Sequence, residues 1–167
     1  FVRKLFLIAF LSLTLLQSCG GGYSFTGGSV GDAKTIWVEF FLNRALLVNP
    51  NLSQRITEAI KDIFIQQTPL ELQKGKSDLV VEGTIIGYDV RPMSAQNDET
   101  ASQSRFTITI SVKFTNNLEP EKSYEETMTR FRDFSSENLF SDVEDQLMNE
   151  IIEELAEDIM NRAIANW

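Results

Sequence analysis

The 167-residue sequence contains no histidine and a single cysteine. The first absence removes both the commonest general base and the commonest metal ligand. No nucleophile–base–orienter set can be assembled around an imidazole. The lone cysteine, Cys19, excludes an intramolecular disulfide and a thiolate metal cluster. Glycine-rich phosphate chemistry is also missing: Gly20–Gly22 is followed by no Lys-Ser/Thr pair. A calcium loop needs alternating Asp/Asn ligands around a central glycine, and Asp98-Glu99 supplies nothing of that kind. The acids that remain are concentrated at solvated spacings near the end of the chain. No catalytic residue, no metal site and no cofactor is therefore expected, and the chain reads as a binding or assembly part rather than an enzyme.

Positive charge is also scarce. Fifteen Lys and Arg face 24 Asp and Glu. From Glu137 onward nine acids are opposed by Arg162 alone. A net field of this sign repels phosphodiester backbones, so no nucleic-acid partner is expected. Apolar content of 43% and charged content of 23% are ordinary for a folded domain rather than a disordered one.

What is present begins with a leader. Arg3 and Lys4 precede Leu5–Leu16, a mostly apolar run too short to span a bilayer comfortably but suited to a signal peptide. The run ends in Leu16-Gln17-Ser18-Cys19, a pattern like the lipobox of bacterial lipoproteins. Cleavage before Cys19 and acylation of its thiol would anchor the mature chain to a membrane face, each buried CH₂ adding about 0.8 kcal/mol. The expected organisation is a signal peptide over 1–18, a lipidated cysteine and tether over 19–34, and one domain over 35–167.

Within that domain, Thr35–Phe41 is rich in β-branched and aromatic residues and predicts a strand. Leu52, Ile56, Ala59, Ile60, Ile63 and Phe64 recur at helical spacing and predict an amphipathic helix that stops at Thr68-Pro69. Leu70–Leu72 reads as a short strand and Lys74–Asp78 as a turn. Leu79–Val90 predicts a long strand in which Gly83 and Gly87 mark a bulge or a close approach. Arg91–Gln103 reads as a polar loop. Phe106, Ile108, Ile110, Val112 and Phe114 alternate strictly with polar residues, so this strand has one buried and one wet face. Asn116–Lys122 reads as a turn and Tyr124–Phe134 as the returning strand. Leu147, Ile151, Leu155 and Ile159 predict a final helix, with Ser141 and Glu144 spaced as a capping box. The order β-α-β-β-β-β-α predicts an α+β two-layer sandwich. Its sheet is expected to be mostly antiparallel, of four to five strands, with two helices on one face.

The candidate binding residues are basic. Arg105 and Lys113 lie on the wet side of one strand, and Arg130 and Arg132 share one side of the next. If those sides coincide, four cations form a patch able to hold phosphate or carboxylate groups. Cross-strand pairing with Glu125 or Glu126 is the plainer reading of the same residues.

One further set of residues points to a family. Cys19-Gly-Gly-Gly-Tyr23-Ser-Phe-Thr-Gly27, Val48–Gln54 leading into Thr57–Asp62, Glu82–Val90, Phe106–Thr115, Val143-Glu144-Asp145 and Asn166-Trp167 follow one another along a lipoprotein-sized chain. In that order they resemble the lipopolysaccharide-assembly lipoprotein family LptE, in its Bacteroidetes form. The resemblance implies a sheet covered by two helices and no enzymatic activity. It implies a lipid anchor at the periplasmic face of the outer membrane. It also implies a role as plug and support of an LptD-like β-barrel that passes lipopolysaccharide to the cell surface. Arg105, Lys113, Arg130 and Arg132 are the candidate lipopolysaccharide contacts. A lipid carrier working alone is the competing reading, and it requires an apolar cavity between sheet and helices.

Overall fold

In the computed structural model, which describes residues 30–47, 49–93 and 102–164, six strands and two helices form two layers. The strands are β1 (Thr35–Val38), β2 (Leu42–Asn43), β3 (Glu71–Leu72), β4 (Leu79–Met93), β5 (Gln103–Asn116) and β6 (Tyr124–Ser135). The helices are α1 (Leu52–Gln67) and α2 (Phe140–Ile164). The expected leader, Cys19 and the tether up to residue 29 lie outside the described residues. Val30 and Ala33 already pack against the core, so the folded domain starts ahead of β1.

The two-layer α+β arrangement follows the sequence pattern, but the sheet is mixed. Its order is β3-β1-β4-β5-β6, with β2 also paired to β4. β4, β5 and β6 form an antiparallel meander, as consecutive strands joined by short connections should. β1 is parallel to β3 and to β4, and β2 is parallel to β4. The cause is α1: a helix inserted after β1 and β2 carries the chain back to the end where β1 began, so the next strands run in the same direction.

The segment expected to be one strand, Thr35–Phe41, is divided. Regular pairing ends at Val38 and resumes at Leu42. Phe41 turns inward between them and is fully buried. Its N–H donates to Thr57 Oγ1 at 3.0 Å, and the same hydroxyl donates to Ser53 O at 2.7 Å. The ring fills the space left by the missing side chain of Gly83, where a Cβ would stand 2.1 Å from Phe41 Cε1. Gly87 follows a register shift in the β4–β5 ladder, and a Cβ there would meet Thr109 Cβ at 3.0 Å. Both glycines therefore mark close approaches, one of them at a bulge.

The helices meet the sheet as their periodicity requires. Leu52, Ile56, Ile60 and Phe64 of α1, and Met148, Ile151, Leu155 and Ile159 of α2, join the inward row Phe106, Ile108, Ile110, Val112 and Phe114 in one core. Truncating any of these to alanine should cost about 2–5 kcal/mol. α1 ends where proline demands: Thr68 is extended, and its N–H donates to Phe64 O at 3.0 Å. The two helices run side by side in the same direction, joined near their starts by Arg55 and Asp145 at 3.0 Å.

The expected capping box does not form. α2 starts at Phe140, so Ser141 lies inside its first turn, where its hydroxyl donates to Asp142 Oδ1 at 3.2 Å. Glu144 instead reaches across the layer interface. It accepts hydrogen bonds from Tyr88 Oη and, at 2.7 Å, from Asn49 Nδ2. Burial first, and then this carboxylate, push the Tyr88 phenol well above its usual pKa.

Candidate functional site

The β5–β6 ladder decides where the four candidate cations point. Directly opposed residues of an antiparallel pair share a face. Arg130 is opposite Ile108 and Arg132 is opposite Phe106, both core residues. Arg130 and Arg132 therefore lie on the helix side. Arg105 is opposite Asp133 and Lys113 is opposite Glu125, on the open side. The structure does not bring the four together as one patch.

On the helix side, the two arginines brace the edge strand against α2. Arg130 Nη2 lies 2.6 Å from Asp158 Oδ2. Arg132 Nε donates to Glu150 Oε2 at 2.7 Å, and its Nη2 donates to Glu154 Oε1 at 2.6 Å. The hydrogen bonds from Arg132 hold the Glu150 and Glu154 carboxyls below their usual pKa, and Arg132 itself is raised, first by Glu154 and then by Glu150. Much of the acidity of α2 is thus answered locally. The parity of β6 carried this information: Tyr124, Met128 and Phe134 are spaced evenly with Arg130 and Arg132, and all face the core.

The open side is a field of hydroxyls with charged pairs at its ends. Thr84, Thr107, Thr109, Ser111, Thr127 and Thr129 stand on three adjacent strands, and Thr109 and Thr129 hydrogen-bond at 3.1 Å. Arg105 donates twice to Asp133, at 2.7 and 2.8 Å, and its guanidinium sits 3.7 Å from the centre of the Phe131 ring. This fork raises the Arg105 pKa and lowers that of Asp133. Lys113 donates to Glu82 Oε2 at 2.9 Å, which raises its pKa. An incoming anion must compete with Asp133 or Glu82. A third cation, Arg91, belongs to this face: it is opposite Arg105 and largely exposed. The sequence pattern reads Arg91 as loop because the polar run that starts there hides the last residues of β4, which extends to Met93.

The third feature is a groove of about 780 Å³ along the outer edge of β1, lined by Trp37, Phe40, Leu42 and Leu72 with Thr57 and Lys61 of α1. No sequence motif marked it, because it is created by the shortness of β3. Among the described residues, no group of three or more Cys, Asp or Glu is placed to hold a metal ion. Among them, too, no helix is long and apolar enough to cross a membrane.

Comparison with known proteins places this geometry. The family model for LptE, lipopolysaccharide-assembly, matches residues 33–163, which is nearly the whole folded domain. No curated protein matches significantly. A minor lipoprotein from Acinetobacter baumannii shares 15% identity at a TM-score of 0.54, over 80% of this chain and 94% of its own. Lipoprotein B from Nitrosomonas europaea shares 14% at 0.53, over 80% of this chain and 83% of its own. A protein from Xanthomonas campestris shares 8% at 0.58, over 83% of this chain and 87% of its own. At these identities the solved structures speak for the fold alone. The family match speaks for membership: the chain belongs to the LptE lipopolysaccharide-assembly family, which is not enzymatic.

Proposed function

We propose that this LptE-family chain is an outer-membrane lipoprotein, anchored through acylated Cys19 at the periplasmic face. In this reading it plugs and supports an LptD-like β-barrel and helps deliver lipopolysaccharide to the cell surface. The observation that carries the proposal is the family match across residues 33–163. The signal-like segment ending at Cys19 agrees with it. The layer between sheet and helices is filled by one continuous core, so the described residues offer little support for a carrier that encloses lipid there.

Arg105 and Lys113 remain the proposed lipopolysaccharide contacts, now joined by Arg91 on the same open face. Arg130 and Arg132 are reassigned to bracing β6 on α2. The test is affinity purification of the lipidated protein from outer membranes in mild detergent. A large β-barrel protein recovered in roughly stoichiometric amount supports the plug, whereas recovery of the intact protein alone at several detergent strengths rejects it. In the purified complex, Arg105→Ala with Lys113→Ala should lower bound lipopolysaccharide several-fold without loss of the barrel.

A further inference from the structure

We propose that Arg130 and Arg132 form an autoinhibitory latch, which closes the free edge of β6 to strand addition by a second copy of this chain. β6 ends the sheet on one side, and among the described residues no strand lies beyond it. It is 12 residues long, contains no proline, and its register with β5 runs unbroken from Tyr124 to Ser135. A long, regular edge of this kind offers a row of backbone groups to any extended chain. The other edge of the sheet is blunted differently: β3 is two residues long, and regular pairing of β1 stops at Val38.

The ladder determines which groups β6 offers. Ser136 N–H donates to Ser102 O at 2.9 Å, one step past the Gln103–Ser135 pair. Hydrogen-bonded and non-hydrogen-bonded pairs alternate in an antiparallel ladder, so the even-numbered residues of β6 direct their N–H and C=O at β5. The odd-numbered residues Thr127, Thr129 and Phe131 direct theirs outward. Two of those outward carbonyls are occupied: Arg130 Nη1 donates to Thr129 O and Arg132 Nη1 to Phe131 O, each at 3.0 Å. An added strand would lie about 4.8 Å from β6 and bring its own N–H groups to the same oxygens. The guanidiniums stand where it must bond.

α2 holds the latch shut. Glu150, Glu154, Asp158 and Arg162 recur every four residues and form one row along that helix. Each step of the row rises about 6 Å, close to the roughly 6.8 Å between same-face residues of a strand, so helix row and strand stay in step. Arg132 donates to Glu150 at 2.7 Å and to Glu154 at 2.6 Å. Arg130 lies 2.6 Å from Asp158, and Arg162 reaches Glu126 at 3.6 Å. Both latch arginines start on the core side of β6, opposite Ile108 and Phe106. Their side chains arch over the rim of the sheet, and the α2 carboxylates fix them in that arch. The excluded partner is a second copy because the outward groups match themselves about a two-fold axis. In an antiparallel β6–β6 pair centred on Met128, Thr127 of one copy faces Thr129 of the other, and both present an outward N–H and C=O.

The test is sedimentation velocity of the mature chain, residues 19–167 with Cys19→Ser, over a wide concentration range. The parent should remain monomeric. Arg130→Thr with Arg132→Thr opens the edge and should dimerise about tenfold or more tightly than the parent. Amide exchange at Thr127, Thr129 and Phe131 should slow as that variant dimerises. Adding Thr129→Pro to the open variant should return it to a monomer, because proline lacks the outward N–H and the β5 ladder does not use that group. A folded double variant that stays monomeric at every concentration overturns the proposal. So does a parent that dimerises as tightly, or association that Thr129→Pro leaves undiminished. If the double variant fails to fold, Arg132→Thr alone, which frees only the Phe131 carbonyl, should still associate several-fold more tightly than the parent; no gain there overturns the proposal as well.

Discussion

Gly83→Ala tests the way β1 and β2 are held on the sheet. The added methyl would sit 2.1, 2.4 and 2.7 Å from Phe41 Cε1, Cζ and Cδ1. Ordinary carbon contacts begin near 3.5 Å, so the ring must retreat by more than an ångström. It has nowhere to go, since Phe41 is fully buried and its N–H is tied to Thr57. Overpacking of this kind costs about 1–3 kcal/mol, occasionally more. Alanine returns part of that, roughly 0.4–1 kcal/mol, by restricting the unfolded chain. A net loss of about 2 kcal/mol is expected, which lowers the unfolding midpoint of a domain this size by about 6–10 °C. Urea and thermal unfolding measure it. The partner change Phe41→Leu removes the clashing ring atoms, so the double variant should be more stable than the sum of the singles predicts by about 1 kcal/mol or more. A Gly83→Ala protein within about 0.5 kcal/mol of the parent, or strict additivity in the double variant, refutes the packing argument.

Other predictions follow from the same contacts. Thr57→Val preserves shape but strips the buried Phe41 N–H of its acceptor, and should cost about 1–3 kcal/mol, with faster hydrogen exchange at the Phe41 amide. Asp78 Oδ2 accepts from Lys34 N, Thr35 N and Thr35 Oγ1 at 2.9, 3.0 and 3.0 Å, and these bonds depress its pKa below 3.8. A depressed folded-state pKa contributes stability that is present above the unfolded value and lost as pH falls through the folded one. Asp78→Asn should therefore flatten the decline in stability below about pH 4 in acid-unfolding curves. Arg132→Gln releases Glu150 and Glu154, whose lowered pKa values work in the same direction. Thermal scans should show a midpoint lower by a few degrees near neutral pH, with the difference shrinking as those carboxyls protonate.

The one-dimensional pattern was enough for whatever depends on local periodicity. The stripe from Leu52 to Phe64 and the alternation from Phe106 to Phe114 each name a buried face without reference to any neighbour. The absence of histidine and the solitary cysteine narrowed the chemistry before any fold was considered, and the ordered marks from Glu82 to Asp145 pointed to the family that the comparison then matched. Tertiary structure decided what depends on which strand lies beside which. Strand direction around β1 follows from the α1 crossover, the break at Phe41 from a cavity supplied by a distant glycine, and the division of the four cations from the β5–β6 register. Glu144 shows the same limit at a single residue. Its spacing from Ser141 suits a cap, yet Tyr88 and Asn49 are 56 and 95 residues away in the chain and only a few ångströms away in space. Local spacing fixes the face a side chain occupies on its own element, whereas its partner is set by the assembled layers.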